Sequence, residues 1–502
     1  MADTVAAAAA RRLSKTRYLA GLQCHKQLWW RVHEPEAPEL VPDVGLRNLF
    51  AQGAEVDQRA RSYVPGGELI DVPFYELDNK VAATRDAMRR DPPVLYQPWF
   101  LADETYAGVD ILTRGPRGYA VIEVKATNRL KPEHVPDVAV QVHVLRRSGL
   151  PVERAEVMHL NPECRHPDLS NLFVREDVTP VVEGVLVGLP EELAAQRRML
   201  AGPLPDVPIG DHCTRPHDCP FLERCWPKLP EHHVSKLYRI ERKQLAEYEA
   251  DGYASMADLP TDLELSAIHA RQVKAVRTGA MVVEHSLGAA LARFTSPLAF
   301  LDFETVSLAI PRWPGCRPWQ LVPVQFSAHV EERGRGLVHH EWLAAGPEDP
   351  RPALAQALVA ACAGARKVVA YYASFERDCI RHLKAAVPSL EGELTRIEQR
   401  LVDLLPAIRN HVYHPDFGGS FSIKKTLPAL VAGLSYGDLQ IADGETATVE
   451  LLRLMLEGGS LPPGEQAALR RALLAYCERD SWAMVKMLDQ LRTLVAQQLE
   501  LF

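Results

Sequence analysis

The arrangement of four cysteines constrains this chain more than any other feature of its sequence. Cys24 stands alone near the N-terminus, whereas Cys213, Cys219 and Cys225 lie together within 13 residues much later in the chain. Thiolates bind soft and borderline metals, so four of them can hold one metal centre. Because this set joins the two ends of a long segment, it predicts a domain that is closed by a metal staple.

The spacing of these cysteines bears on which metal they bind. Four cysteines can ligate either a 4Fe–4S cluster or a structural zinc ion. Zinc sites favour two short Cys-x2–4-Cys pairs, and one distant ligand with three widely spaced ones fits a cluster better. Zinc is the alternative, with His212 or His217 as a substitute ligand. The other cysteines are expected to be small core or surface residues: Cys164, Cys316, Cys362, Cys379 and Cys477.

Length and composition predict a soluble protein of two to three domains. The chain has 502 residues, of which 47% are hydrophobic and 24% are charged. It contains no run of 18 apolar residues, so no membrane span is expected. The first residues place alanines before arginines, unlike a secretory signal, and we expect a cytoplasmic protein. Nine cysteines in that compartment favour metal ligands or free thiols over disulfides.

The pattern of strands and helices predicts an α/β fold in two main domains. In the first, strands over 105–113 and 119–125 flank a turn at 115–118, and a helix over 137–147 follows. In the second, a strand at 298–304 opens a strand–helix alternation that ends in a helix over about 465–497. The expected boundaries are a flexible N-terminus at 1–12, a first domain at 13–230, a helical connector at 231–294 and a second domain at 295–502.

The charge pattern gives limited support for nucleic-acid binding. The net charge is −8, although a basic groove can lie on an acidic protein. Arg271, Lys274 and Arg277 recur every three residues and are candidates to follow a phosphate backbone. Lys424 and Lys425, beside Phe421, are candidates to hold a single strand with the ring as a stacking surface. A solvated helix face and an ordinary loop are the alternatives.

The first acidic motif combines Asp110 with Glu123-Val124-Lys125. Side chains alternate along a strand, so Glu123 and Lys125 share one face. A hairpin would bring Asp110 beside them, and two carboxylates can bind one Mg²⁺ ion. A lysine beside such an ion can orient or activate the water that attacks a phosphodiester. A charged, solvated strand face is the alternative. Two further candidates are Gln141 on the next helix and Glu55 on an early helix.

These residues resemble the PD-(D/E)XK nuclease superfamily. The pattern of that superfamily is followed by Gly108-Val109-Asp110, by Ile122–Lys125 and by the helical Gln141. The cysteine layout and the segment Leu13–Tyr18 are similar to its RecB-like branch, which carries an iron–sulfur staple and includes AddB. The resemblance covers residues 13–230. It implies that Asp110 and Glu123 bind metal, that Lys125 serves the attacking water and that the cysteines hold a 4Fe–4S cluster. The sequence departs from the pattern of that branch at two positions. Leu145 stands where its members often have a tyrosine, and Glu55 stands where they often have a metal-binding histidine.

A second acidic motif lies in the C-terminal half. Asp302 and Glu304 interrupt an apolar strand and share one face. Acids in that setting are costly unless they are paired or bound to metal. Tyr476 and Asp480 lie one helical turn apart, and Glu376 lies where a strand passes into a helix.

This motif resembles the DEDD exonucleases of the ribonuclease H-like fold. The resemblance implies that Asp302, Glu304 and Asp480 bind two metal ions and that Tyr476 orients water. Glu376 replaces the aspartate of the middle motif, with Asp378 and Asp403 as nearby alternatives. The pairing of a RecB-like nuclease domain with a DEDD-like domain also resembles a bacterial family of unknown function.

Together the two motifs predict a Mg²⁺- or Mn²⁺-dependent nuclease that acts on DNA, at single strands or ends, in repair, recombination or phage defence. One alternative is a nucleic-acid-binding scaffold with an inactive C-terminal domain that acts with a helicase partner. The chain has no Gly-x4-Gly-Lys-Ser/Thr loop, so unwinding would come from that partner. A second alternative is an RNA-processing exonuclease.

Overall fold

Two compact units make up the computed structural model, which describes residues 12–73 and 75–500. The first unit runs to Pro227 and also contains Leu308–Gln320, and the second contains Lys228–Ser307 and the chain from Leu321 onward. The predicted flexible segment 1–12 lies outside the described residues except for Arg12.

The first unit is a mixed α/β structure. Its strands are β1 (Leu13–Ser14), β2 (Glu68–Leu69), β3 (Val94–Tyr96), β4 (Trp99–Ala102), β5 (Thr105–Gly108), β6 (Ile111–Arg114), β7 (Tyr119–Lys125), β8 (Val152–Leu160) and β9 (Phe173–Asp177). Its helices are α1 (Lys15–Gln23), α2 (His25–His33), α3 (Val44–Arg61), α4 (Leu77–Arg89), α5 (His134–Arg147), α6 (Thr179–Leu186), α7 (Leu189–Leu200) and α8 (Leu222–Cys225).

The main sheet of this unit has the order β2-β3-β6-β7-β8-β9, and a smaller sheet has the order β1-β5-β4. Strand β7 lies inside the main sheet, antiparallel to β6 and parallel to β8. Its side chains alternate between two cores, because Val121 packs in the cluster that holds Val138 and Val142 of α5, whereas Ile122 packs with Val56 of α3. One face of β7 is therefore covered by α5 and the other by α3.

The predicted strand over 105–113 is divided in the structure. Residues Thr105–Gly108 pair in the small sheet, and Ile111–Arg114 pair in the main sheet. Asp110 lies in the bend between them. This change of sheet brings Asp110 beside the C-terminal half of β7, because the next residue, Ile111, is opposite Ile122.

The second unit also mixes strands and helices. Its strands are β10 (Val282–Val283), β11 (Leu298–Ser307), β12 (Leu321–Glu332), β13 (Gly336–Leu343), β14 (Lys367–Ala370), β15 (Leu401–Asp403) and β16 (Val412–Tyr413). Its helices are α9 (Arg242–Ala250), α10 (Ala267–Thr278), α11 (Leu287–Leu291), α12 (Arg351–Cys362), α13 (Ser374–Ala386), α14 (Glu391–Arg400), α15 (Leu405–His411), α16 (Ile423–Leu430), α17 (Gly444–Glu457) and α18 (Pro463–Glu500).

The five-stranded sheet of the second unit has the order β13-β12-β11-β14-β15. Strand β11 is antiparallel to β12 and parallel to β14, and β14 is parallel to β15. Apolar residues of α12, α13 and α14 pack in one core cluster with β11, β12 and β14. The long helix α18 packs against β11 and β12. The α/β class predicted from the alternation of strands and helices is confirmed.

Two segments group differently from the predicted boundaries. Residues 231–294, expected to form a separate connector, belong to the second unit, where β10 pairs with β16. Leu308–Gln320, expected within the second domain, belongs to the first unit because Ala309 is buried in the cluster around Val56 and Ile122. Within the described residues, no helix combines the length and apolarity needed to span a bilayer.

Candidate metal centres

Glu123 and Lys125 extend from the face of β7 that α5 covers. Gln141 Nε2 of α5 donates to Glu123 Oε2 at 2.7 Å. Lys125 Nζ donates to Glu123 Oε1 at 2.7 Å and also pairs with Asp137 in the first turn of α5. The structure thus brings together three residues singled out from the sequence and adds Asp137, which sequence reasoning missed.

Lys15 supplies a second cation to this group. It is the first residue of α1, whose N-terminus is capped by the Ser14 hydroxyl. Its Nζ lies 2.7 Å from Glu123 Oε1 and 3.2 Å from Asp137 Oδ1. The signal in the sequence was the similarity of Leu13–Tyr18 to the RecB-like branch, which assigned no role to this lysine.

Asp110 joins the same group from the bend between β5 and β6. Its Oδ2 accepts from the backbone N–H of Val124 at 2.7 Å, and its Oδ1 accepts from Gln97 Nε2 at 3.2 Å. Gln97 Nε2 also donates to Asp57 Oδ1 at 3.1 Å. Withdrawal from solvent raises the pKa of Asp110; Asp57 raises it further, while Lys15 and Lys125 oppose the shift.

Glu55, the acid predicted on the early helix, is not brought to Asp110. Its side chain is exposed and its Oε1 lies 3.1 Å from Arg312 Nη2. Asp57 takes the expected place through Gln97. Two positions along an α-helix differ by about 200° in direction, so Glu55 and Asp57 point to nearly opposite sides of α3. Glu55 therefore lies away from Asp110, and Asp57 is the acid of α3 that is linked to Asp110 through Gln97.

The charges of this first centre are nearly balanced. Three carboxylates (Asp110, Glu123 and Asp137) face two ammonium groups, and both oxygens of Glu123 already accept hydrogen bonds. Burial lowers the pKa of Lys125, but Glu123 and Asp137 raise it more, and the net pKa lies above its ordinary value. Lys125 is therefore protonated, so it can orient a water or a phosphate oxygen but cannot accept a proton.

The four cysteines of the predicted staple line one pocket of the first unit. Cys24, Cys213, Cys219 and Cys225 all contribute to its wall, and each carries a free thiol. Withdrawal from solvent raises the pKa of Cys219, and Cys24 and Cys225 raise it further through their proximity. The pKa of Cys225 is raised in the same way, first by withdrawal from solvent and then by Cys24 and Cys213, while Lys26 opposes the shift. The distant cysteine and the late group therefore converge.

Gln27 and Lys26 oppose the raised pKa of Cys219 and of Cys225, respectively, so they would help to stabilise negatively charged sulfur. Gln27 is buried, and its Oε1 accepts from Arg31 Nε at 3.1 Å, which fixes the orientation of the amide. Its Nε2 has no conventional hydrogen-bond partner among the described residues, yet it lowers the pKa of Cys219 and so lies near that sulfur. Trp30 packs on Phe221 with ring centroids 5.0 Å apart. Amide donors beside sulfur in an apolar pocket fit a thiolate-bound metal centre.

A second group of acids is assembled around β11. Asp302 and Glu304 share one face of the strand. One carboxylate oxygen of Asp302, one of Glu304 and the sulfur of Cys477 all lie within 4.8 Å of one another. Cys477 Sγ donates to Asp302 Oδ2 at 3.6 Å. Helix α18 packs on β11 and carries Cys477 together with Tyr476 and Asp480. Cys477, expected to be an ordinary core residue, lies inside this group.

Glu376 is also part of this group. It lies in the first turn of α13, is 2% exposed, and its Oε2 has no hydrogen-bond partner among the described residues. Its charge raises the pKa of both Asp302 and Glu304. An unpartnered buried carboxylate oxygen is costly, and it is the kind of atom that a bound cation would satisfy.

The two alternatives to Glu376 have other roles. Asp378 is exposed and its Oδ1 lies 3.2 Å from Arg381 Nη1. Asp403 Oδ1 accepts from the backbone N–H groups of Tyr372 and Leu405, each at 3.0 Å, and so fixes the chain at the ends of β14 and β15. The middle acid of this centre is therefore Glu376.

Withdrawal from solvent raises the pKa values of these acids, and for Asp302, Glu304 and Glu376 repulsion by neighbouring acids raises them further. The pKa of Asp302 and that of Glu304 are raised well above their ordinary values by loss of solvent and then by Asp480. Loss of solvent likewise raises the pKa of Asp480 to about 6 and that of Glu376 to about 8. Four acids whose pKa values all rise form a site that favours an added positive charge.

Lys424 is a basic residue close to this second centre. Its Nζ lies 5.2 Å from the ring centroid of Tyr476 and 5.4 Å from that of Tyr436. Its charge opposes the raised pKa of Glu304 and of Asp480. Loss of solvent and the nearby carboxylates raise the pKa of Tyr476 above its ordinary value, so its hydroxyl keeps its proton. The Tyr436 hydroxyl donates to Asp480.

Two predicted nucleic-acid contacts are wrong. Arg271 is buried, with Nε 3.0 Å from Glu284 Oε1, and it also donates to the backbone oxygen of Arg409. It therefore joins α10 to the C-terminal turn of α15 and cannot follow a phosphate backbone. Phe421 is 4% exposed and packs edge-on against Tyr238, so it offers no stacking surface.

Comparison with known protein families gives a match that lies mainly in the second unit. A family described as a domain of unknown function (DUF2779) matches residues 299–422. The matched segment contains Asp302, Glu304 and Glu376 but ends before Tyr476 and Asp480. No curated protein matches this chain.

Proposed function

We propose that this chain is a metal-dependent nuclease whose principal catalytic centre is formed by Asp302, Glu304, Glu376 and Asp480. The observation that carries the proposal is the gathering of four carboxylates, one of which, Glu376, has an oxygen with no partner among the described residues. At 4.8 Å, two like charges repel by about 3 kcal/mol if the effective dielectric constant is about 20. Divalent cations would relieve this repulsion, and a donor set made of oxygen atoms favours Mg²⁺ or Mn²⁺.

Each residue has a definite task in this account. The four carboxylates hold the ions, and Cys477 keeps Asp302 in position through its hydrogen bond. The protonated Tyr476 hydroxyl orients the attacking water, and Lys424 draws the scissile phosphate toward the acids. Tyr436 holds Asp480 by donating to it. When bound, the ions would lower the pKa of the water and neutralise charge on the phosphorus oxygens.

The fold of the second unit supports this assignment. A mixed five-stranded sheet with the acid-bearing strand β11 at its centre and helices α13 and α18 supplying the remaining acids suits a ribonuclease H-like DEDD domain. The glutamate at position 376 extends one methylene further than the usual aspartate. Because its carboxylate reaches the other acids, we propose that this replacement is compatible with activity.

We propose a supporting role for the first unit, as a RecB-like PD-(D/E)XK domain. Its ammonium groups already compensate Asp110, Glu123 and Asp137, so a metal ion would have to displace at least one lysine. A cleft of about 540 Å³ reaches Asp110 and Lys15. It is also lined by cations and aromatic rings: Arg12, Arg17, Tyr75, Trp99 and Tyr106. Cations and rings of this kind bind single-stranded nucleic acid.

The cysteine site completes the proposal. We assign Cys24, Cys213, Cys219 and Cys225 to a 4Fe–4S cluster, with zinc as the alternative, because one distant ligand and three wide spacings suit a cluster. Its role would be to join α2 to the end of the first unit. The substrate that we favour is DNA, as a single strand or an end, in the cytoplasm.

The test is cleavage of end-labelled single-stranded DNA, double-stranded DNA and RNA by the anaerobically purified chain. Reactions with Mg²⁺ or Mn²⁺ are compared with reactions in EDTA. We expect the chain to cleave DNA in the presence of Mg²⁺ or Mn²⁺, and we expect EDTA to abolish this cleavage. Preferential cleavage of RNA would indicate an RNA-processing enzyme instead. The nuclease assignment would be overturned if the folded, cluster-loaded chain cut no substrate with either ion.

A further inference from the structure

A group of two histidines and one glutamate lies on the second unit apart from the four catalytic acids. His329 of β12 and His339 of β13 are directly opposite each other in the strand register. Glu478 reaches them from α18. One ligand atom of each of the three side chains lies within 4.8 Å of the others. Imidazole and carboxylate together form the donor set of many divalent transition-metal sites.

Two serines fix one nitrogen of each histidine. Ser481 Oγ lies 2.9 Å from His329 Nδ1, and Ser327 Oγ lies 2.9 Å from His339 Nε2. The two hydroxyls are themselves 2.7 Å apart, so the four side chains form one connected network. Residues that bind metal through one imidazole nitrogen commonly hold the other in this way, because the second bond sets the tautomer and the ring direction.

The nitrogens without a serine partner are therefore Nε2 of His329 and Nδ1 of His339. Glu478 Oε1 lies 3.7 Å from His339 Nδ1, which is longer than a hydrogen bond. The two rings are stacked with centroids 4.6 Å apart and planes 22° from parallel. A metal ion lies in the plane of the imidazole that binds it. The rings of His329 and His339 must therefore tilt for both nitrogens to bind the same ion.

We propose that His329, His339 and Glu478 bind one divalent transition-metal ion, such as Zn²⁺, with water in the remaining positions. Glu478 is partly exposed, so the ion reaches the site from solvent. The bound ion joins α18 to β12 and β13. Because α18 also carries Tyr476 and Asp480, the ion stabilises the helix that completes the acidic centre. The site does not depend on nuclease activity and can be tested without it.

The experiment is calorimetric titration of Zn²⁺ into the full, cluster-loaded chain in excess Mg²⁺. His339→Ala and Glu478→Gln are compared with the wild type, and His340→Ala is the matched control. His340 is the next residue on β13, but it pairs with Glu332 at 2.8 Å instead. Glu478→Gln preserves the size of a partly exposed side chain, so it tests the site even if His339→Ala impairs folding.

We expect the wild type and His340→Ala to bind one more Zn²⁺ ion than His339→Ala and Glu478→Gln. Zn²⁺ should also raise the unfolding temperature of the first pair more than that of the second, since an ion that binds the folded state stabilises it. Equal stoichiometry in the four proteins would overturn the site. Retention of the additional ion by folded Glu478→Gln would overturn it as well.

Discussion

Lys15 Nζ donates to Glu123 Oε1 across 2.7 Å, although the two residues are 108 positions apart in the chain. This contact brings the N-terminal segment into the acidic centre of the first unit. Lys15 and Lys125 occupy the same carboxylate oxygen, at which the proposed metal ion would bind. The two lysines would therefore compete with that ion for Glu123.

Replacement of Lys15 by methionine should make the first unit depend on added metal. Glu123 is 2% exposed, and removing one partner of a buried ion pair costs on the order of 3 kcal/mol. We expect the unfolding temperature of Lys15→Met to fall in EDTA and to recover in Mg²⁺ more than that of the wild type. Lys131→Met is the control, because Lys131 pairs with Glu133 at 3.6 Å on the surface. Equal responses of both variants to Mg²⁺ would contradict the competition.

Asp57 and Glu55 provide a paired test of the first centre. Asp57 reaches Asp110 through Gln97, whereas Glu55 pairs with Arg312. In a background that carries Asp302→Asn and Glu304→Gln, we expect Asp57→Asn to weaken Mn²⁺ binding about tenfold, equivalent to about 1.4 kcal/mol. Glu55→Gln should leave it unchanged. Equilibrium dialysis measures both, and a larger effect of Glu55→Gln would reverse the assignment.

Glu376 should make the metal-free protein less stable as the pH rises. A glutamate titrates near 4.5 when unperturbed, whereas Glu376 in the folded protein titrates near 8. Between these values the folded state retains a proton that the unfolded chain has released, so the free energy of unfolding falls as pH rises and levels off above about 8. The contribution is on the order of a few kcal/mol.

Denaturant unfolding in EDTA at about pH 5 and about pH 8.5 measures this contribution. Glu376→Gln cannot release a proton, so the variant should lose less stability across this range than the wild type. Added Mg²⁺ should restore the wild type at the higher pH and affect the variant less. An identical pH dependence of both proteins would show that Glu376 titrates normally.

If the four cysteines hold a cluster, Cys219 should be required for it, whereas Cys164, which lies outside the group, should be dispensable for it. Cys219→Ser should abolish the broad visible absorbance and the bound iron and sulfide of an iron–sulfur cluster, and destabilise the first unit. Cys164→Ser should retain them, because the buried Cys164 donates to the backbone oxygen of Asp168 and lies outside the pocket. Zinc in place of iron in the wild type would identify the alternative metal.

Local patterns in the sequence were sufficient to predict several elements. The helix expected over 137–147 is α5, which begins at His134 with Pro136 in its first turn. The spacing of Tyr476 and Asp480 predicted one shared helical face, and α18 brings both to β11. Side-chain alternation along β7 predicted that Glu123 and Lys125 share a face. These features depend on neighbouring residues and on fixed backbone periods.

Features that depend on packing between distant segments were not predictable in this way. The apolar residues Leu46, Leu49 and Phe50 of α3 are exposed, whereas Val56 and Ala60 are buried in the core. Glu55 was predicted as an acid on this early helix, and the pattern of α3 alone did not show that Asp57 is the acid linked to Asp110 through Gln97. Lys15 and Cys477 each reach an acidic centre from a remote helix, and spacing along one segment does not show which helix will cover a strand.

The most direct test of the central claim compares cleavage rates of end-labelled single-stranded DNA by the wild type, Asp302→Asn/Glu304→Gln and Lys125→Ala. Asp378→Asn is the control, since Asp378 lies close to Glu376 on α13 but is exposed and pairs with Arg381, one turn further along the helix. We predict a loss of about a thousandfold, or about 4 kcal/mol, in the double variant and less than about tenfold in the other two. Loss in Lys125→Ala with a wild-type rate in the double variant would contradict the claim and place the chemistry in the first unit.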